Sequence, residues 1–284
     1  MSAPPPGLLP QGEEEKQAPS PCGRGLGEGT TTVIEAERVA QRFGPRTIFR
    51  DVSFTVRAGE IFVILGGSGC GKSTLMKQLI GLLTPNEGSI VIRGHAITGP
   101  HGAAGRHAML REIGVMFQSG ALFGSMTLLE NIMLPLEMYT DLPEPGREAV
   151  ARVKLGLVGL ADAAGLKPAE ISGGMAKRAG IARAMALDPP LLFLDEPSAG
   201  LDPITSAGLD RLILDLRRDL GATFVVVTHE LASILAIADR CIMLDRAAQG
   251  MIAEGDPKRL RDESTNPSVR AFFRREVLEA ETAR

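Results

Sequence analysis

The glycine-rich stretch GGSGCGKST, residues 66–74, constrains the fold of this chain more than any other feature. It follows the apolar run EIFVIL and precedes KSTLMKQLIGLL, which has the spacing of an amphipathic helix. A glycine loop between a strand and a helix N-terminus offers successive backbone N–H groups to phosphate oxygens. The spacing G-x-x-x-x-G-K-[ST] is filled by Gly66, Gly71, Lys72 and Ser73. We therefore predict a nucleotide phosphate site, in which Lys72 reaches the β- and γ-phosphates and Ser73 ligates Mg²⁺.

The whole loop is predicted to contribute to nucleotide binding. Its residues are Gly66, Gly67, Ser68, Gly69, Cys70, Gly71, Lys72, Ser73 and Thr74. Cys70 occupies a variable loop position, where a small filler side chain is favoured over a redox role. Phe43, one long hairpin earlier, is placed to stack on adenine, with a core position as the alternative.

The run LLFLDEP brings two carboxylates to the end of a predicted buried strand. Asp195 suits a group that holds Mg²⁺, usually through water, and Glu196 suits the general base or orienter of an attacking water. A solvated turn is the alternative for this pair. His229 and Gln118 also follow short apolar runs, VVVT and VMF, and such strand ends meet at one sheet edge. We expect His229 to contact the γ-phosphate, rather than to be structural, and Gln118 to touch Mg²⁺ or water.

A second anion seat is predicted in ISGGMAKR. Ser172, Gly173 and Gly174 stand just before a helical pattern, and Lys177 and Arg178 follow one turn later. A hydroxyl at the cap, bare backbone N–H groups and basic side chains suit an anion. One domain with two phosphate seats requires an explanation.

Apolar strand runs alternate with helical patterns along the chain. Buried strands between helices indicate an α/β fold with a largely parallel sheet covered on both faces. We predict a disordered extension over 1–31, rich in Pro, Gly and Glu, with a regulatory tail as the alternative. The main domain is predicted over 32–255, with a helical subdomain at about 120–187. A C-terminal helical extension is predicted over 256–284.

Bulk composition excludes several classes of protein. The formal net charge of −3 gives no electrostatic case for nucleic acid as a partner. No apolar run approaches the ~18 residues that a membrane-spanning helix needs, and the start of the chain lacks the apolar segment of a secretory signal. The three cysteines are scattered and odd in number, as in a reduced cytosolic protein.

The order of these motifs resembles the nucleotide-binding subunit of an ABC transporter. Phe43, GGSGCGKST, Gln118, ISGGM, LLFLDEP, SAGLD (198–202) and His229 carry the resemblance, between Val33 and Gly255. It implies an ABC-type P-loop NTPase fold, with a mixed sheet core, an antiparallel β subdomain and an inserted α-helical subdomain, and it implies hydrolysis of ATP with Mg²⁺.

The family resemblance also accounts for the second anion seat. In that family two subunits meet head to tail, and the Ser-Gly-Gly turn of each closes over the γ-phosphate held by the other. Ser172, Gly173 and Gly174 would therefore act in a homodimer partner's site, with Asp202 at the dimer seam. Met175 stands where the commonest family form has Gln, so the polar contacts of that side chain are not expected here.

Weaker signals resemble one branch, the ATPases of Mce-type phospholipid transporters that maintain outer-membrane lipid asymmetry. They are the SGGM form with its basic pair, the stretch Ala121 to Pro145 and the tail NPSVRAFF. The branch implies an integral membrane permease, a Mce-domain lipid-binding protein and a place at the cytoplasmic face of the bacterial inner membrane. Its C-terminal extension helps to pair the subunits. Gln118 and SGALFGSMTLLENI would form the groove for a permease helix, although Leu122, Phe123 and Met126 also suit a core.

Other functions remain as alternatives. A soluble ABC ATPase of DNA repair would carry a long coiled coil between Gln118 and the Ser-Gly-Gly turn, and no heptad run is present there. Translation types carry two cassettes, whereas this length permits one. A transporter ATPase for amino acids, metals or drugs differs only in its partners. A non-catalytic ATP-binding module is disfavoured by the intact Glu196 and His229.

Overall fold

The computed structural model describes residues 31–100 and 102–276. The predicted disordered extension, apart from Thr31, and the last eight residues of the predicted C-terminal extension lie outside this range. The division of the chain at residues 31 and 255 stays a prediction.

Within the described ranges the strands form two sheets. They are β1 (Thr32–Phe43), β2 (Arg46–Arg57), β3 (Ile61–Gly66), β4 (Glu87–Ile92), β5 (His95–Ala96), β6 (Ile113–Met116), β7 (Leu191–Asp195), β8 (Thr223–Val227), β9 (Arg240–Asp245) and β10 (Gly250–Gly255). The first sheet is antiparallel, in the order β2-β1-β4-β5. The second has the order β10-β9-β3-β8-β7-β6 and is parallel except for β10 at its edge.

Helices cover the second sheet and form the stretch between β6 and β7. They are α1 (Lys72–Leu79), α2 (Gly102–Met109), α3 (Leu128–Tyr139), α4 (Glu144–Leu157), α5 (Gly173–Ala184), α6 (Pro203–Leu220), α7 (Leu231–Ile237), α8 (Pro257–Glu263) and α9 (Pro267–Arg274). Three of them, α3 to α5, lie where the sequence predicts mostly helix. In the described part of the chain no helix has the length and apolar character needed to span a membrane.

Strand β3 is buried along its whole length and divides the core in two. Ile61, Val63 and Leu65 enter a cluster with side chains of α3, α4 and α6. Phe62 and Ile64 enter a second cluster with β1, β2 and α1. Because alternate strand residues point to opposite faces, both faces are covered, as the uninterrupted apolar run predicts. The end of β3, where the glycine loop begins, is therefore held from both sides.

The predicted fold class is confirmed, with some elements misjudged. The sequence predicts helix α1 to continue to Leu83, but it ends at Leu79. Gly81 adopts a φ of +77°, and the N–H groups of Leu82 and Leu83 donate to the carbonyl of Lys77. A left-handed glycine with such back-bonding is a common helix stop. The short elements β5, α2 and α7 were not predicted, because each is too short to show a period, whereas α8 and α9 lie within the stretch where a C-terminal helical extension is predicted.

Candidate active site

Loops that follow four parallel strands of the second sheet wall one cavity of about 830 Å³. The strands β3, β6, β7 and β8 all end at this edge, as expected for parallel neighbours. The predicted site residues on its wall are Gly66, Gly67, Ser68, Gly69, Lys72, Ser73, Gln118, Glu196 and His229. The structure thus brings together the phosphate loop, the glutamate, the histidine and the glutamine.

The phosphate loop folds back on its own lysine. The ammonium of Lys72 donates to the carbonyl oxygens of Gly66 at 2.9 Å and Gly67 at 3.0 Å. Gly71 has a φ of +107°, and a Cβ there would lie 2.7 Å from the ring of Phe49. Only glycine meets both conditions. The loop is therefore compact, and Gly66, Gly67 and Lys72 all line the cavity.

Three loop residues that were predicted to bind nucleotide, Cys70, Gly71 and Thr74, are not on the cavity wall among the described residues. The Cys70 side chain is buried, and burial raises the pKa of its thiol above the ordinary value. A buried thiol with a raised pKa is a poor nucleophile, which supports the filler alternative for Cys70.

The carboxylates of Asp195, which ends β7, and of Glu196, which follows it, each keep an acceptor oxygen free of protein donors among the described residues. His229 Nδ1 lies 2.8 Å from Glu196 Oε1, whereas Glu196 Oε2 is buried without a protein donor among the described residues. Asp195 Oδ1 is also buried without such a donor. Burial, and then the charge of Glu196, raises the pKa of Asp195 above its ordinary value. A buried carboxylate in this state is stabilised by a cation.

These residues suit a Mg²⁺ ion that is coordinated partly by water and phosphate, rather than a metal ion coordinated only by protein side chains. No group of three or more His, Cys, Asp and Glu that could hold a metal occurs in the described ranges. Mg²⁺ commonly takes one or two protein oxygens and completes its shell with water and phosphate oxygens. Asp195 does not line the cavity among the described residues, but its free carboxylate oxygen and the serine hydroxyl of Ser73, which does line it, are oxygen donors of the kind that requirement calls for.

The Ser-Gly-Gly turn lies on a different surface of the chain. Ser172 caps helix α5, where its hydroxyl accepts from Met175 N at 3.2 Å, and it is exposed. Asp202 caps α6 and accepts from Thr205 N at 3.0 Å. A Cβ on Gly174 would lie 2.6 Å from Thr205 Cγ2, so the turn packs directly on the start of α6. Ser172, Gly173, Gly174 and Asp202, all described residues, do not line the cavity.

The exposure of Phe43 bears on whether this side chain belongs to the core or is free to stack on adenine. Phe43 is 51% exposed at the end of β1, which contradicts the core alternative, and it does not line the described cavity.

In the loop that was predicted to receive a permease helix, Phe123 is exposed, whereas Leu122 and Met126 are half-buried. The amide of Asn131 holds their loop, because its Oδ1 accepts from Phe123 N at 2.7 Å and its Nδ2 donates to three carbonyls of the loop.

The basic pair after the turn does not extend the anion seat, which corrects the prediction. Lys177 is only 8% exposed, and its ammonium donates to the carbonyl oxygens of Gln118 and Glu196, the latter at 3.0 Å. Arg178 donates to the carbonyl of Val158 at 3.3 Å. Helical spacing could have indicated that Lys177 is buried, because it puts this residue on the same face of α5 as Gly174 and Ile181, which are also buried.

The C-terminal segment supplies a wall that the sequence analysis missed. Phe272 in α9 and Arg275 just after it line the same cavity as the phosphate loop. The tail NPSVRAFF was predicted only to pair subunits. No local pattern could have shown that this segment helps to line the phosphate cavity, because it lies about two hundred residues from the phosphate loop along the sequence.

Comparison with known proteins agrees with this geometry. The family model for ABC transporters matches residues 49–199. A probable ribonucleotide transport ATP-binding protein, mkl, of Mycobacterium tuberculosis is 42% identical over 240 residues, which are 84% of this chain and 66% of that protein. The chain thus spans 66% of the length of this relative. The intermembrane phospholipid transport system ATP-binding protein MlaF of Escherichia coli is 39% identical over 247 residues, 87% of this chain and 90% of that protein.

Solved structures show the same fold. The cbiO1 protein of Clostridium perfringens, part of an ABC transporter complex, superposes with a TM-score of 0.74 at 26% identity, covering 82% of this chain and 91% of that one. A dimeric ATP-binding cassette in a post-hydrolysis state with ADP and Pi gives a TM-score of 0.70 at 29% identity, covering 78% and 98%. The motif order, the fold and these relatives lead to one assignment: the chain belongs to the ABC transporter family.

Proposed function

We propose that this chain is the ATP-hydrolysing subunit of an ABC transporter and that it works as a homodimer. The observation that carries the proposal is the single cavity in which the phosphate loop, Glu196 and His229 meet at one sheet edge. A non-catalytic ATP-binding module would not need the 2.8 Å contact between a cavity-facing histidine and a buried glutamate.

Each predicted site residue, on the cavity wall or close to it in sequence, receives a role from its chemistry. The loop residues 66–74 and Lys72 would bind the phosphates, and Phe43 would stack on adenine. Ser73, Asp195 and Gln118 would hold Mg²⁺, which when bound neutralises phosphate charge and orients it. Glu196 would orient the attacking water or take its proton through the oxygen that His229 leaves free.

The Ser-Gly-Gly turn would serve a second copy of the chain. Ser172 and Gly173 of the turn are exposed and Gly174 is buried against the start of α6, which Asp202 caps; none of these residues lines the cavity of its own subunit. Head-to-tail pairing would place Ser172, Gly173 and Gly174 against the γ-phosphate held by the partner. The dimeric solved relative with ADP and Pi supports pairing as the working state. Bound ATP would supply the charge that both halves bind, and hydrolysis would remove it.

The proposed cargo is phospholipid, moved between bacterial membranes. The MlaF relative, named for intermembrane phospholipid transport, supports this cargo, as do the residues of the branch resemblance. An integral permease would dock at Gln118 and the loop around Phe123, which exposes an apolar side chain. The chain would then lie at the cytoplasmic face of the inner membrane, with a Mce-domain protein as a further partner. The mycobacterial relatives are named for ribonucleotide transport, so a nucleotide cargo is the second candidate.

Affinity purification from detergent-solubilised membranes tests both parts. Co-purification of a permease and a Mce-domain protein, with phospholipid bound to the complex, is the expected result. Recovery of a permease with a nucleotide-binding partner and no Mce-domain protein would reject the lipid cargo but keep the transporter ATPase. Absence of MgATP hydrolysis by both the purified chain and the complex would reject the ATPase.

A further inference from the structure

Lys177 is a buried cation that none of the proposed roles uses. Its ammonium donates to the main-chain carbonyls of two residues, Gln118 and, at 3.0 Å, Glu196. Gln118 follows β6 and Glu196 follows β7, whereas Lys177 comes from α5, the helix that begins at the Ser-Gly-Gly turn. One side chain therefore joins three functional segments at a single point.

The backbone of Glu196 needs such support. Its φ is +47°, a left-handed conformation that non-glycine residues seldom adopt without surrounding restraint. Its N–H donates to the carbonyl of Val227 at 2.8 Å, and its own carbonyl accepts from Lys177. The peptide groups on both sides of Glu196 are thus fixed by hydrogen bonds. The position of its carboxylate depends on both of them.

The loop after β6 is seated on the same helix. Gly120 lies so close to α5 that a Cβ on Gly180 would be 3.1 Å from Gly120 Cα. Arg183 donates to the carbonyl oxygens of Gly120 at 3.1 Å and Ala121 at 2.7 Å. Both Lys177 and Arg183 therefore restrain this loop. The hydrogen bonds of Arg183 reach only the loop, whereas Lys177 bonds to the loop and also to Glu196.

We propose that Lys177 is a positioning residue for ATP hydrolysis. By donating to the carbonyls of Gln118 and Glu196 together, it links the loop after β6 to Glu196 and holds Glu196 in its reactive position. Glu196 is then set for reaction when that loop is seated on α5, so displacement of the loop withdraws the support of the carboxylate. This inference rests on the proposed function, since it requires that Glu196 act on the attacking water.

The test separates nucleotide binding from the chemical step in the purified full chain. Single-turnover hydrolysis of MgATP and the affinity for a fluorescent ATP analogue are measured for each variant. Lys177→Met, which keeps the length of the stem but loses the donors, is expected to slow hydrolysis ~10- to 100-fold with affinity within about threefold. Lys177→Arg, which keeps the charge and donors, is expected to recover most of the rate.

Two neighbouring cations of α5 serve as matched controls. Arg183→Met removes the other restraint on the loop and is expected to cost clearly less than Lys177→Met. Arg178→Met removes a cation one position away, bonded to Val158, and is expected to leave hydrolysis unchanged. These two variants show whether the effect depends on the link to Glu196 or only on positive charge in the helix.

Three results would overturn the inference. They are hydrolysis by Lys177→Met at the rate of the unmodified chain, a loss of affinity as large as the loss of rate, and an equal loss in Arg183→Met. Should thermal unfolding show that Lys177→Met is not folded, Lys177→Gln replaces it under the same criteria, and Lys177→Arg stays the variant that is expected to recover the rate. An unmodified chain that binds but does not hydrolyse MgATP would overturn the proposed function and this inference with it.

Discussion

His229 Nδ1 lies 2.8 Å from Oε1 of Glu196, and the other carboxylate oxygen of Glu196 has no protein donor among the described residues. The imidazole side chain is 58% exposed, whereas the carboxylate side chain is 11% exposed. An accessible histidine thus orients a buried glutamate and leaves one oxygen for a water molecule. The proposed function therefore treats the two residues as one unit rather than as two independent contacts.

Glu196→Gln is expected to lower ATP turnover by ~10²- to 10⁴-fold with MgATP affinity within about threefold, because the amide cannot take a proton. Steady-state turnover and equilibrium binding check this. Adding His229→Ala should cost little more, because residues that act as a unit are not additive. Glu148→Gln, which alters a carboxylate paired with Arg152 on α4, is the control. Turnover by Glu196→Gln equal to that of the unmodified chain would contradict the role of Glu196.

A mixture of two inactive variants should regain activity if the site is shared between subunits. Lys72→Ala lacks the phosphate lysine and Ser172→Arg blocks the turn, so each homodimer is inactive. A mixed dimer contains one intact centre, built from the loop of one chain and the turn of the other. We expect turnover in the mixture and none in either variant alone. Well-folded variants that stay inactive on mixing would contradict the head-to-tail arrangement.

Gly174→Ala is expected to reduce the free energy of unfolding by about 1–3 kcal/mol through overpacking. Its Cβ would lie 2.6 Å from Thr205 Cγ2, whereas a Cβ on Gly173 meets nothing nearer than 3.9 Å. Gly173→Ala is therefore the matched control, with stability unchanged or raised by ~0.5–1 kcal/mol. Thr205→Ser removes the methyl group but keeps the hydroxyl that donates to Asp202 at 2.5 Å, so it should rescue Gly174→Ala. Denaturant unfolding measures all three, and failure of the rescue would show that the contact is not the cause.

Magnesium should stabilise the chain beyond ATP alone. Asp195 Oδ1 is a buried acceptor without a protein donor in the described ranges, so a cation beside it relieves an unfavourable charge. A ligand at ~100 times its Kd adds about 2.7 kcal/mol to stability. We expect a higher unfolding temperature with MgATP than with ATP and EDTA, and a smaller difference in Asp195→Asn. Asp162→Asn, at an exposed position, should keep the full difference. An undiminished difference in Asp195→Asn would exclude this carboxylate from the metal site.

The phosphate loop and the strand-end residues could be predicted because their signals are local. A buried strand, a glycine loop and a helix follow one another within residues 61–79, and the residues that end β7 and β8 are contiguous with apolar runs. Parallel strands then bring those ends to one edge whatever the remaining details. The fold class and the family were confirmed for this reason.

The directions of individual side chains were decided by the tertiary structure. Lys177 belongs to an apparent anion seat by sequence, but packing of α5 turns it toward the carbonyls of Gln118 and Glu196. Arg275 comes from the far end of the chain and reaches the phosphate cavity. Sequence spacing determines which side chains are neighbours on one helix or strand, whereas contacts between elements depend on how their surfaces pack. The sequence by itself therefore determined the phosphate loop and the strand-end groups of the cavity, whereas the fold alone decided which distant segment completes its wall and which side chains support those groups.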